Sequence, residues 1–163
     1  VLHEPPGQPA DVVCPPERSD AVPLALPRAA RQLGRVCPTL DELAGNCRFA
    51  ATVDVGLVEG VGGLYSPIAS DGHNLDLIDQ MGPDLVIVVA SAALGGIHDT
   101  VACTLPLSAY SQAVFCNRFD HQSDVHVLNV SWLRNTGLGV ATNLSELARV
   151  VCIALRGRSC PGT

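Results

Sequence analysis

The chain has 163 residues, nearly half of them apolar, which is enough for one domain with a buried core. A net charge of −6, carried against ten arginines and no lysine, gives no basic footprint for nucleic acid. No apolar run reaches the roughly 18–20 residues of a membrane span, and no phosphate contact or Schiff base within this chain can use a lysine.

Residues 1–26 read as a Pro-rich extended segment, punctuated by Pro5, Pro6, Pro9, Pro15, Pro16 and Pro23. Glu4, Pro5 and Pro6 are unlike a secretory signal, and a first residue that is Val rather than Met points to a trimmed or partial chain. Residues 27–163 read as a single α/β domain without an interior linker or repeat. The seven cysteines, at 14, 37, 47, 103, 116, 152 and 160, form no C-x-x-C pair. That spacing speaks against zinc and for reduced thiols, several of them in apolar runs, in a cytoplasmic compartment.

Pro27 to Leu33 can open a helix, with proline in its first turn. Thr39 and Glu42 make a capping box for a helix from Leu40 to about Ala51, which places Leu40, Leu43, Ala44, Cys47 and Ala50 on one stripe. Val53 to Glu59 reads as a buried strand that ends in a carboxylate and runs into Gly60, Gly62 and Gly63. Open α/β sheets present their sites in this way, because glycines let backbone N–H groups close around an anion. Asn74 to Met81 is a short helix, and Leu85 to Ala90 a Val/Ile-rich core strand of the kind covered on both faces. Leu94, Gly95, Gly96 and Ile97 lead into a helix from His98 or Asp99 to about Ala113, with Pro106 predicting a kink or a late start. Two segments compete for the next strand, Ala113 to Cys116 and Val125 to Ser131, and the alternation of the second favours it. A loop over Gly137–Gly139 then leads to a helix from Asn143, capped with Glu146, to about Leu155. His73, His121 and His126 read as surface residues, and Asp54 as an acid within a strand.

The segment VEGVGGLYSPI, from Val58 to Ile68, resembles the VEGAGG segment of the dethiobiotin synthetase family. Leu94 to Thr100, LGGIHDT, is similar to that family's turn into a helix, in the same order and spacing. His98 and Asp99 stand about where the family often has Asn and His. The resemblance implies a P-loop NTPase-like fold, a parallel sheet flanked by helices, here without its first β-α-β portion. It also implies a ligase that closes a ureido ring on 7,8-diaminononanoate with CO₂ and ATP in biotin biosynthesis.

In that reading Glu59 holds Mg²⁺, and Gly60, Gly62 and Gly63 form the substrate and phosphate loop. Leu94 to Ile97 receive the substrate carboxylate near a dimer interface, and Asn117 or Ser131 meets the nucleotide base. The family's P-loop and its second lysine have no counterpart here, since the chain contains no lysine. A fragment or subunit whose P-loop comes from another chain or from lost residues is one reading, with a homodimer or that partner chain as the expected assembly. A catalytically degenerate binding or scaffold subunit is the other.

Overall fold

The computed structural model describes residues 23–47, 49 and 53–156. The sequence expectations for residues 1–22, and for Ala50 and Ala51, fall outside them. The described residues divide into two compact units, one up to Met81 and one from Gly82 onward.

In the first unit, α1 spans Leu26–Leu33 with Pro27 in its first turn. It ends on Gly34 at φ 64°, a left-handed position that glycine adopts without a Cβ penalty. α2 spans Leu40–Asn46, shorter than the pattern predicts. Its capping box is present: Glu42 N–H donates to Thr39 Oγ1 at 3.3 Å, and Thr39 N–H to Glu42 Oε2 at 2.9 Å. Leu40, Leu43, Ala44 and Cys47 are its half-buried stripe. α3, Asn74–Met81, packs against α2, and Gln80 Nε2 donates to Asp41 Oδ1 between them.

The strand expected over Val53–Glu59 does not form among the described residues. Val55 is 72% exposed and Leu57 80%, and no described strand pairs with the segment. A strand exists only where its N–H and C=O groups meet a neighbour. The apolar run reports affinity for a sheet, but it does not supply one.

The second unit is a right-sized βαβαβα sequence. β1, Val86–Ala90, is followed by α4, Gly96–Thr104, then β2, Gln112–Cys116. α5 spans Asp124–Asn135, β3 Val140–Ala141 and α6 Leu144–Arg156. The sheet order is β1-β2-β3, parallel throughout, with Val86 opposite Gln112, Ala90 opposite Cys116 and Val114 opposite Val140. Parallel strands need crossover connections, and α4 and α5 are those crossovers. The expected architecture, a parallel sheet flanked by helices, is therefore the one observed. Ala92, Val114, Cys116, Val130, Leu133 and Val140 form the core. Burial pushes the Cys116 thiol up, against a weaker opposing pull from Arg134. Cys152, one of the cysteines that lie in an apolar run of the sequence, is exposed on α6.

Elements of the second unit also differ from the sequence reading. The strand is Gln112–Cys116, and Val125–Ser131, the favoured candidate, is helical. Ser123 caps that helix, its Oγ accepting from His126 N–H at 3.4 Å, and Val130 and Leu133, three apart, form its buried face. The alternation at Val125 and Val127 lies on exposed helix surface. α4 starts earlier than expected, at Gly96, and stops at Thr104, two residues before Pro106, which has no N–H to continue the helix. Ala113, expected at the helix end, lies in β2.

α6 begins after Asn143, whose Oδ1 accepts from Glu146 N–H at 2.9 Å. Glu146 does not return the bond to Asn143. Its Oε2 accepts from Thr142 N–H, Thr142 Oγ1 and Arg134 Nη2, each at 2.9 Å. The Thr142 N–H bond is the main cause holding the Glu146 carboxyl below the usual carboxylate range; the Thr142 hydroxyl and the arginines Arg134 and Arg149 add to it, and partial burial opposes it. A carboxyl depressed in the folded state binds protons more readily when unfolded, so its stabilisation is complete above the unfolded value and is lost as pH falls through the folded one. Denaturant unfolding followed from neutral pH to about pH 3 is expected to show a shallower acid decline for Glu146→Gln than for wild type.

Candidate functional site

The glycine loop of the first unit is held from below by α3. Asn74, 7% exposed, donates from Nδ2 to Val61 O at 2.9 Å and to Gly63 O at 2.8 Å. Leu75 N–H reaches Leu64 O at 3.0 Å, so the first turn of α3 is bonded into the loop. Gly60 lies against this clamp: a Cβ there would meet Asn74 Oδ1 at 2.6 Å. Gly62 adopts φ 80° and faces the Ser66 hydroxyl. Gly63 N–H donates to Ser66 Oγ at 2.8 Å and is thereby occupied. No described residue accepts from the N–H groups of Gly60, Val61 or Gly62.

Glu59 precedes this loop as an exposed residue in chain outside any described helix or strand, rather than at the end of a strand. Magnesium takes one or two carboxylates together with phosphate oxygens and water, so a lone exposed carboxylate fits as one of its oxygen ligands, while the unoccupied main-chain N–H groups beside it suit phosphate oxygens. Among the described residues no group of three or more His, Cys, Asp or Glu side chains is placed to hold a metal by protein ligands alone. Nearby, His73 Nδ1 lies 2.8 Å from Asp76 Oδ2, and its ring meets Tyr65 edge-on at 5.1 Å. His73 is thus half-buried and engaged at the start of α3, not the free surface residue expected.

In the second unit the three parallel strands end at one edge, as open α/β sheets require, so the loops after β1 and β2 emerge together. The loop after β1 closes tightly. Ala93 N–H donates to Ser91 Oγ at 3.2 Å, and Gly96 N–H donates back to Ala93 O at 2.9 Å. Gly95 takes φ 89°, and a Cβ on Gly96 would meet Ser91 O at 2.0 Å. Leu94, at 94% exposure, is the outermost point of the turn. The first helical bond of α4 runs from Asp99 N–H to Gly95 O at 3.1 Å. No backbone carbonyl takes the N–H of Ile97 or His98. Of the four residues expected to receive an anion here, Gly96 has its N–H occupied, while Ile97 has its N–H available.

The loop after β2 starts with Asn117, whose N–H donates to Ala90 O at 3.0 Å and so ties the ends of β1 and β2 together. Its Oδ1 accepts from Arg118 N–H at 3.0 Å, and Arg118 stands at φ 55°. This leaves the exposed Nδ2 as a donor at the sheet's carboxyl edge. Phe119 packs on the core and meets His121 at 4.8 Å and His126 at 6.0 Å. His126 Nδ1 accepts from Asp120 N–H at 3.1 Å, so His126 is half-buried and structural. Ser131 is exposed in the middle of α5, and the strand end that made it a rival to Asn117 does not exist.

Two asparagines that motif reading passes over carry much of this geometry. Asn74 appears in sequence only as a helix start. Asn129 lies inside the segment misread as a strand, yet its Nδ2 donates to Ala92 O at 2.9 Å and Ala93 O at 3.0 Å. The pairing of each with a loop 11 to 37 residues away has no local sequence signature.

No protein-family model matches the chain. An ATP-dependent dethiobiotin synthetase BioD of Phenylobacterium zucineum is 45% identical over 82 residues, 48% of this chain and 34% of the relative. Those of Anaeromyxobacter and Frankia casuarinae are 37% identical over 103 residues and 39% over 136, covering 63% and 83% of this chain and 45% and 53% of the relatives. The resemblance to the dethiobiotin synthetase family therefore stands, and the chain spans a third to about half the length of the curated relatives it matches.

Gly96→Ala is expected to destabilise the second unit by about 1–3 kcal/mol, because the new methyl collides with backbone rather than with a yielding side chain. Equilibrium urea unfolding measures the loss. Gly137→Ala, a glycine at φ 88° with open space around it, serves as the comparison for backbone strain without collision.

Proposed function

From the similarity to dethiobiotin synthetases as premise, we propose that this chain is the portion of such a ligase that carries the magnesium carboxylate, the substrate carboxylate turn and the base-reading asparagine. One observation carries the reading: both glycine-rich turns leave main-chain N–H groups without a described acceptor, at Gly60, Val61 and Gly62 in the first and at Ile97 and His98, in the first turn of α4, in the second.

The reaction closes a ureido ring. One amine of 7,8-diaminononanoate adds to CO₂ to give a carbamate, whose oxygen takes the γ-phosphoryl group of ATP, releasing ADP. The second amine then attacks the carbonyl carbon and expels phosphate. Phosphoryl transfer asks the protein for position and charge stabilisation more than for covalent chemistry. Glu59 would hold Mg²⁺, which neutralises charge on the phosphates when bound. Gly60 and Gly62 would donate N–H groups to phosphate oxygens. Ile97 and His98 N–H, with the α4 dipole behind them, would take the far carboxylate of the substrate. Asn117 Nδ2 would donate to a ring nitrogen of the purine. The triphosphate also requires a P-loop and its lysine, and this lysine-free sequence leaves both to a partner chain or to residues outside it. Homodimerisation and a cytoplasmic setting belong to the same reading; no helix among the described residues is long and apolar enough to cross a membrane.

The absence of lysine, and a Glu59 that stands outside any strand, favour a second reading, a binding or scaffold subunit without turnover. Phosphate release that depends on both the diamine and CO₂, measured on the chain together with the partner or segment that carries the P-loop, separates the two. The ligase reading expects such turnover, with Glu59→Gln lowering it by about 10²-fold. Diamine binding in calorimetry without turnover supports the scaffold reading, and neither binding nor turnover overturns both.

A further inference from the structure

The bend between β1 and α4 is shaped by a residue that lies far from it in sequence. Asn129 sits in α5 next to Val130, with Leu133 one turn on, and these two fix the helix in the core. From that base its amide nitrogen uses both hydrogens on the bend, one to Ala92 O at 2.9 Å and one to Ala93 O at 3.0 Å. Ala93 O also accepts from Gly96 N–H at 2.9 Å, so a single carbonyl ties the bend to the first residue of α4 and to α5 together. The first turn of α4 is thereby locked in the register that leaves the Ile97 and His98 N–H groups without a backbone acceptor.

We propose that Asn129 is a positioning residue: through Ala92 and Ala93 it sets the start of α4 so that the Ile97 and His98 N–H groups present a binding point for the carboxylate of the diamine substrate. The inference rests on the carboxylate role given to this turn above. Asparagine suits the task because its planar NH₂ group donates twice in fixed directions. Aspartate has the same shape but would set a carboxylate against two carbonyl oxygens. A group supported by hydrogen bonds on a packed helix keeps its geometry better than one left to a free loop.

The test uses the full chain as wild type, Asn129→Ala and Asn129→Asp. Amide hydrogen exchange is followed at residues 92–98, and calorimetry measures affinity for 7,8-diaminononanoate and for Mg·ATP. Both variants are expected to speed exchange at the bend. Diamine affinity should fall about tenfold in Asn129→Ala, the scale of losing one to two net hydrogen bonds, and further in Asn129→Asp, while Mg·ATP affinity changes by less than about twofold. A residue that only fills space would rank the isosteric Asp above Ala, so that order overturns the proposal. Unchanged exchange at 92–98, or equal loss for both ligands, also overturns it. A wild-type chain that does not bind the diamine overturns the carboxylate reading of the turn itself, and exchange then reports separately whether Asn129 holds the bend.

Discussion

The second unit depends on one strand. β2 has neighbours on both edges and buried side chains on both faces, with Ala113, Val114 and Cys116 almost wholly removed from water. A parallel strand in that position has no free hydrogen-bonding edge and must be reached by crossovers on either side. α4 and α5 are therefore committed to cover the sheet, and the loops after β1 and β2 are committed to one edge. Everything assigned to binding in this unit follows from that edge: the bend before α4, Asn117, and the reach of Asn129 back to Ala92 and Ala93.

The same chemistry recurs in the first unit, where the described residues form no sheet. Asn74 and Asn129 each use two amide hydrogens on two carbonyls of a loop. In both cases the loop belongs to a glycine-rich turn, and the clamp comes from a helix. Glycine supplies the close approach, at Gly60 against Asn74 and at Gly96 against Ser91, and the amide supplies the hold. Unoccupied N–H groups are of use to a ligand only when the chain around them does not move, which is what the clamps provide. Glu59 has no comparable support, since it lies in exposed chain outside any described helix or strand.

The helices before the glycine loop illustrate how local rules succeed. The Thr39–Glu42 box and the Pro27 start involve neighbours a few residues apart, and both occur where the pattern places them. The Asn143–Glu146 pair succeeds only by half. Glu146 is drawn to Thr142 and Arg134 instead, because Arg134, at the end of α5, stands close enough in space to compete. Capping at that end of α6 is thus shared with an ion pair that no local pattern contains.

The sequence by itself determined the turns, the caps and the class. Glycines at 60, 62, 95 and 96, prolines at 27 and 106, and the Val/Ile run at 86–90 report constraints that act within a few residues, and the order of those signals is enough to mark a parallel α/β chain similar to dethiobiotin synthetases. Tertiary structure alone decided which apolar runs became strands. Val53–Glu59 and Val125–Ser131 both carry strand-like composition. The first lacks a partner among the described residues, and the second is part of a helix that buries Val130 and, three residues on, Leu133. Strand formation is settled by a neighbour's hydrogen bonds, and so are the contacts of Asn74 and Asn129; a neighbour distant along the chain leaves no mark in the residues beside them.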